Sequence, residues 1–336
     1  LILINPPRRQ IGQDTADSRI RTGAMPPRLI TLTLNPALDI ACSAEVVEHT
    51  RKIRTKGDHL DPGGGGINVA RVLHELGGET LAVIMAGGVT GATIEELLEE
   101  AGVPRQTVPI SGRTRICFNV FETSTKLEYR FVQEGPDVTD ADWHRMLDAL
   151  EATPGEWLIA SGSLEHGMPE DIYAQVARAA KRRGQRFVLD TSGPALRAAL
   201  GSGIALIKPS LGELEWLTGR ALPDPREQEA EALALVRAGA AGLVAVTLGE
   251  KGAFVASAQG VIRLAALPCE VQSAVGAGDS FTAGMTLALA RGQVLEEALA
   301  WGVAAGTAAV VCAGTARVRR VDVETQYQRL TEAAPL

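Results

Sequence analysis

Val275-Gly276-Ala277-Gly278-Asp279-Ser280, running on into Phe281-Thr282-Ala283-Gly284, is the stretch from which the rest of the chain can be read. Two glycines flank a small residue, an acid follows at once, and the apolar run behind it predicts a helix. Glycine permits a tight turn and close backbone approach. A turn that opens a helix leaves backbone N–H groups unpaired, and with the positive end of the helix dipole they form an anion site. An acid is out of place there unless it handles a proton. A carboxylate at Asp279 suits general-base work on a hydroxyl that attacks phosphorus. Asp is also a favoured N-cap, so this stretch by itself leaves a capping role and a chemical role both open.

The totals narrow the field. At 336 residues the chain has room for two domains or one large α/β domain. Hydrophobic content of 46% with only 4% aromatics predicts a large aliphatic core. A net charge of −7 and a pI near 5.4 argue against nucleic-acid partners and against a polybasic membrane surface. Cys42, Cys117, Cys269 and Cys312 are scattered without a CxxC pair, which fits a reduced cytoplasmic protein better than a disulfide framework or a zinc site. The polar segment 1–24 reads as a disordered extension, with Met25 as a candidate natural start; its apolar run, Leu1–Ile4, is too short for a signal peptide. Ala298 to Gly314 is nearly uncharged but rich in Ala and Gly, and falls short of the ~20 apolar residues of a membrane span. It predicts a buried helix.

Leu29–Leu34 is a β-rich run stopped by Asn35-Pro36, so Ala37-Leu38-Asp39 is expected on a loop at a strand end. Gly63-Gly64-Gly65-Gly66 then leads into Ile67-Asn68-Val69-Ala70-Arg71-Val72-Leu73, a second glycine-rich entry into a helix. Leu81–Met85 reads as a buried strand and Ile94–Glu100 as a helix, and Arg115–Glu122 with Leu127–Val132 as a hairpin. From about 140 onward, strands at Trp157–Ala160, Arg186–Leu189, Ala205–Ile207 and Leu243–Val246 alternate with helices near 170–183, 193–200, 211–218 and 226–239. That rhythm implies a parallel sheet covered on both faces, with ligands at the carboxyl ends of the strands. Asp39, Ser161-Gly162-Ser163, Asp190, Lys208 and Thr247-Leu248-Gly249 all follow strands and are expected to share one crevice. Segments 38–60 and 113–133 fall outside the rhythm and predict a small protruding sheet.

Several chemistries are excluded. The chain has no GxxxxGK[ST], no HExxH and no nucleophile elbow, and its five histidines form no metal pattern. A dinucleotide fingerprint fails because Phe281 stands where the third glycine belongs, and Asp279 would repel a pyrophosphate.

What remains resembles the PfkB (ribokinase-like) family of carbohydrate kinases, from about Leu29 to Leu330. Its two signatures are Gly63-Gly64-Gly65-Gly66-Ile67-Asn68-Val69-Ala70-Arg71 and Val275-Gly276-Ala277-Gly278-Asp279-Ser280. The resemblance implies an α/β ribokinase-like fold, a three-layer αβα with a mainly parallel central sheet and a small β-sheet lid. It implies a single kinase domain over 25–336, with lid strands from about 38–60 and 113–133. Thr33–Asp39, the glycine run without a lysine, and Tyr129-Arg130-Phe131-Val132 are most similar to the minor-type 6-phosphofructokinase branch. The implied reaction is ATP-dependent phosphorylation of fructose 6-phosphate at its C1 hydroxyl. A 1-phosphofructokinase or tagatose-6-phosphate kinase is the alternative, and a catalytically weak sugar-phosphate sensor a more distant one.

Residue roles follow from the resemblance. Asp279 is implied as the catalytic base, with the backbone of Gly276, Ala277 and Gly278 around the transferring phosphoryl group. Asp39, Gly64, Gly65 and Asn68 are implied at the sugar. Lys52, Arg54, Arg115, Arg130 and Ser163 are the candidates for its phosphate, where the planar fork of arginine suits bidentate binding. Lys208, Ser210, Thr247, Gly249, Gly252 and Thr307 are implied on the ATP side, with Glu213 holding Mg²⁺ through water. Ser273, Val275, Ala309, Cys312 and Gly314 match a K⁺ site built of carbonyls. One departure stands out: the family has Asn-x-x-Glu after Lys-Pro, and this chain has Ser210-Leu211-Gly212-Glu213. The amide's reach is lost there, which is the motive for the sensor reading. The implied partners are a sugar phosphate and ATP, and a homodimer formed through the lid covers the lid's exposed strand edges.

Overall fold

The computed structural model describes residues 28–311 and 318–333; the 1–24 extension, Cys312 and Gly314 lie outside them. The first strands in chain order are β1 (Arg28–Thr33), β2 (Ala37–Ala44), β3 (Lys56–Gly63), β4 (Glu79–Ala86) and β5 (Arg105–Pro109). Then come β6 (Arg115–Glu122), β7 (Glu128–Val132), β8 (Trp157–Ser161) and β9 (Arg186–Asp190). The last are β10 (Leu206–Ile207), β11 (Leu243–Thr247), β12 (Ala253–Ser257) and β13 (Gly260–Leu264).

The large sheet runs β13-β12-β11-β10-β9-β8-β1-β4-β5, and every pairing from β11 to β5 is parallel. Its strands alternate between two buried faces. Ile30, Leu32, Leu158, Ala160, Phe187 and Leu189 join one hydrophobic cluster, while Leu29, Trp157, Ile159 and Val188 join the other. Near-continuous apolar strands of this kind need helices on both sides. Helices Asp140–Ala152, Ile172–Arg182 and Pro225–Arg237 cover the first face. Gly65–Glu75, Ala277–Ala290 and Leu295–Val310 cover the second. The helix expected over 298–314 is the last of these, and among the described residues no helix is long and apolar enough to cross a membrane.

The small sheet runs β3-β2-β6-β7, with β2 and β6 parallel and the outer pairings antiparallel. Its register sorts its side chains. Asp39, Cys117 and Val132 are aligned across it, as are Ala41, Asn119 and Arg130, on the face that lines the cleft. Leu60, Ile40, Phe118 and Phe131 form an aligned row on the other face. Phe131 there is 57% exposed.

Two sequence expectations change. Ala37-Leu38-Asp39 is not a loop but the start of β2: Pro36 breaks the chain between two sheets instead of ending all β structure. The edge β12–β13 and the helix Asp140–Ala152 were not foreseen. The helix carried a readable signal, because Thr139 and Asp142 form a reciprocal capping box.

The glycine run is a packing device. Gly64 has φ +114°, which strains any residue with a side chain. A Cβ on Gly65 would lie 2.2 Å from Ser161 Oγ, and one on Gly66 2.3 Å from Leu32 O. The helix can therefore start directly against the ends of β1 and β8. Replacing Gly66 by alanine should cost about 1–3 kcal/mol through overpacking. Gly212, with open space around it, should tolerate alanine. Paired thermal melts test this, and equal melting temperatures for Gly66→Ala and Gly212→Ala would contradict it.

Candidate active site

Helix Ala277–Ala290 begins where the carboxyl ends of β8, β9 and β10 open. Its N-cap is Gly276, in the left-handed region at φ 75°, and no side chain caps it. The first-turn N–H groups therefore face a cleft of about 330 Å³, lined by Gly65, Ser163, Asp190, Lys208, Glu213 and Gly278 among others. Asp279 lies in this first turn but does not cap it. Its Oδ2 accepts from Asn68 Nδ2 at 2.9 Å and its Oδ1 from Ser161 Oγ at 3.0 Å. The carboxylate is thus fixed by two neighbouring elements and keeps lone pairs for a third donor.

Electrostatics favour a working base. Burial and then the nearby Asp190 push the Asp279 pKa up to about 6, against the hydrogen bonds from Asn68 and Ser161 and the charge of Lys208. It is mainly ionised at neutral pH, yet far more basic than an exposed aspartate. Lys208 is buried and pairs with Asp190 at 3.2 Å. Burial works against its ammonium, but Asp190, Glu213 and Asp279 outweigh it and keep the proton on. Thr282 Oγ1 lies 3.1 Å from Asp190 Oδ2 and 3.0 Å from Gly278 O, tying the pair to the helix. A Cβ on Gly278 would come within 3.3 Å of Lys208 Nζ, so the ammonium stands against the anion-binding turn.

A second cavity of about 260 Å³ opens on the other side of Asp279, under the lid. Asp39, Gly64, Asn68, Arg115 and Arg130 line it. Burial and then Asp61 push the Asp39 pKa up to about 6, against Arg115, Arg130 and Arg71. Asp39 packs so closely on Gly63 that a Cβ there would overlap its carboxylate, at 2.1 Å from Oδ2. Arg130 is exposed into the opening, whereas Arg115 donates to Gln133 O at 2.8 Å and Asn35 O at 3.0 Å. Its guanidinium also braces the lid's attachment.

Other candidates are placed differently. Lys52 and Arg54 sit on the exposed segment between β2 and β3 and line neither cavity. Thr307 is buried, its hydroxyl donating to Val303 O at 2.8 Å within its own helix. Thr247 ends β11, and Gly249 and Gly252 flank the turn before β12; none of the three lines either cavity. Ser210 caps helix Leu211–Thr218, and the Glu213 carboxylate accepts from Ser210 N at 2.7 Å. The serine that departs from the family pattern thus anchors the acid three residues on. Val275 and Ala309 share a small cavity beside Asn68, and Ser273 Oγ accepts from Val275 N at 3.2 Å. Sequence reasoning did not assign roles to Ser161, Asp190 or Thr282. A polar residue closing each apolar strand run was the signal for the first two, and the i,i+3 step from Asp279 for the third.

Known proteins share this arrangement. Residues 32–320 match the family described as pfkB family carbohydrate kinase. The chain is 43% identical over 308 residues to the ATP-dependent 6-phosphofructokinase isozyme 2 of Mycobacterium tuberculosis, covering 91% of each. It is 32% identical to the 1-phosphofructokinase of Bacillus subtilis, over 83% of this chain and 91% of that one. Phosphofructokinase-2 of Escherichia coli in complex with potassium superposes with a TM-score of 0.87, at 38% identity over 91% of this chain and 99% of that one. The same protein has been solved with fructose-6-phosphate, TM-score 0.85 at 37% identity, and in a tetrameric inhibited form, TM-score 0.86 at 36% identity, each covering 91% of this chain and 99% of that one. The fold is shared with solved phosphofructokinases over nearly their whole length, and the chain belongs to the pfkB family of carbohydrate kinases.

Proposed function

We propose that this chain transfers the γ-phosphoryl group of ATP to the C1 hydroxyl of fructose 6-phosphate, giving fructose 1,6-bisphosphate. The observation that carries the reading is the position of Asp279, between a cavity under the lid and a cleft at the helix N-terminus. The sugar phosphate takes the first and the nucleotide phosphates the second. Asn68 and Ser161 hold the carboxylate while Asp279 accepts the proton of the attacking hydroxyl. Amides of the first helical turn stabilise charge on the transferring group without reorganising, typically by about 3–4 kcal/mol per donor. Lys208, held by Asp190, adds a fixed positive charge beside that turn. Arg130 and Arg115 line the cavity we give to the sugar phosphate and suit its 6-phosphate, while Ser163 lines the adjoining cleft.

Magnesium fits the donor set. One carboxylate in the cleft, Glu213, is oriented by Ser210, and among the described residues no cluster of acids or histidines forms a complete cage. An ion held by one or two carboxylates and substrate phosphates is how Mg²⁺ ordinarily binds. When bound, it supplies neutralisation of phosphate charge. Val275, Ala309 and Ser273 are where we place a K⁺ ion, in keeping with the potassium complex of the Escherichia coli relative. The free thiols of Cys42, Cys117 and Cys269 suit the reducing cytoplasm. We take residues 25–336 as a single kinase domain.

The reading is tested by kcat/KM for fructose 6-phosphate, fructose 1-phosphate and tagatose 6-phosphate with ATP and Mg²⁺. Fructose 6-phosphate should lead. A preference for either of the others would move the chain to the runner-up activities, and tight sugar-phosphate binding without turnover would favour a sensor.

The lid also carries a partner surface. The row Leu60, Ile40, Phe118 and Phe131 leaves Leu60 41%, Phe118 40% and Phe131 57% exposed, next to the unpaired edges of β3 and β7. Exposed apolar rows and open edges call for a cover, and we assign a second copy of the lid to that role. Phe131→Glu should shift the protein from dimer to monomer in light scattering. A wild-type monomer at working concentration would contradict the assignment.

A further inference from the structure

Behind the sugar-phosphate end of the cleft lies a buried carboxyl that the chemistry above does not use. Glu165 is 3% exposed, and neither of its carboxyl oxygens has a hydrogen-bond partner. Asn35 Oδ1 is also buried without a donor, although Asn35 Nδ2 reaches Glu134 O at 3.1 Å, Ser163 Oγ at 3.3 Å and Leu164 O at 3.1 Å. Those acceptors settle which end of the amide is nitrogen, so the orphaned atom is an acceptor. The orphans are neighbours. A Cβ on Gly135 would lie 2.4 Å from Glu165 Oε2 and 2.9 Å from Asn35 Oδ1. Buried acceptors cannot satisfy one another, and a buried carboxylate without a partner costs more than its neutral form. A proton on Oε2 would leave the carboxyl uncharged and give Asn35 Oδ1 a donor, since a carboxylic acid donates and the amide oxygen accepts.

The place of this pair in the fold gives it a task. Asn35 stands between β1 and the first lid strand, β2, while Glu134 and Gly135 follow the last lid strand, β7. The Asn35 amide therefore joins the chain's way into the lid, its way out, and the loop of Ser163. Arg115 of β6 braces the same junction through Asn35 O and Gln133 O.

We propose that Glu165 is a positioning residue of the sugar-phosphate site: as the neutral acid it donates to Asn35 Oδ1 and holds the junction at the base of the lid on which Arg115, a lining residue of that cavity, is braced. The inference rests on the reading of that cavity as the sugar-phosphate site. Of the charged groups nearby, Arg115 from β6 favours the ionised acid, while Glu134 and the Asp137–His166 pair are exposed at the surface. Burial outweighs Arg115 and pushes the Glu165 pKa up to about 8. The acid is then neutral at pH 7 and ionises in alkaline solution, where Asn35 loses its donor and Arg115 is drawn from its carbonyls.

The test compares wild type, Glu165→Gln and Glu165→Leu by KM for fructose 6-phosphate and for ATP across neutral and alkaline pH, alongside thermal melts. Glutamine donates as the neutral acid does, and leucine cannot. Wild-type KM for fructose 6-phosphate should rise about threefold to tenfold on ionisation, the range of one lost hydrogen bond. Glu165→Gln should stay flat at the neutral wild-type value, Glu165→Leu should show the raised value throughout, and KM for ATP should not move. An acid with a higher pKa folded than unfolded costs stability as pH rises between the two values. Wild type should therefore lose melting temperature relative to Glu165→Gln from about pH 4.5 to about 8. If Glu165→Gln is as impaired as Glu165→Leu, the carboxylate's charge is what matters, as in holding a cation, and the proposal falls. Parallel KM and melting profiles for wild type and Glu165→Gln would also overturn it. A wild type inert toward fructose 6-phosphate would refute the kinase reading instead, and the melts would still decide the protonation of Glu165.

Discussion

The site depends on one constraint: the Asp279 carboxylate must be held in the mouth of an anion-binding helix by donors from other elements. Asn68 and Ser161 supply them, from the helix after the glycine run and from the end of β8. These elements can meet only because Gly65 and Gly66 let backbone lie where side chains would collide with Ser161 and Leu32. The glycine run therefore sets the position of the Asp279 carboxylate through packing. The hydrophobic cluster on one face of the sheet, with Val69, Val72 and Leu73 from one helix and Phe281, Met285 and Leu287 from the other, holds the two helices in place.

An acid beside an anion site also needs its charge offset. Asp190 raises the basicity of Asp279, and Lys208 limits that rise. Because Lys208 is buried and shared among Asp190, Glu213 and Asp279, its charge is carried at low solvent screening. Glu213 is itself held by the backbone N–H of Ser210, a hold that does not depend on the side chain at that position, while the Ser210 hydroxyl accepts from Glu213 N as the helix cap.

Much of this was legible in the sequence. Apolar runs located β1, β4, β8, β9 and β11, and the glycine entries located both helices of the site. Local patterns failed where the outcome is set by distant pairing. Pro36 was read as ending β structure, when β2 begins one residue later in another sheet. Lys52 and Arg54 lie on the exposed β2–β3 segment and line neither cavity of the single chain. The joint hold of Asn68 and Ser161 on Asp279, across 211 and 118 residues of chain, leaves no local mark at all. The unpaired Glu165 likewise emerges only when burial is known.

The central claim is that the Asp279 carboxylate accepts the proton of the attacking hydroxyl. It is tested most directly by the pH dependence of kcat/KM for fructose 6-phosphate in wild type and Asp279→Asn. A base with a pKa of about 6 is active as the carboxylate, so wild-type activity should fall as pH drops through that value. Asp279→Asn should be slower by roughly 10²–10⁴ and should lack that limb, with sugar-phosphate binding retained. A near-wild-type rate in the variant, or the same acidic limb in both proteins, would contradict the account.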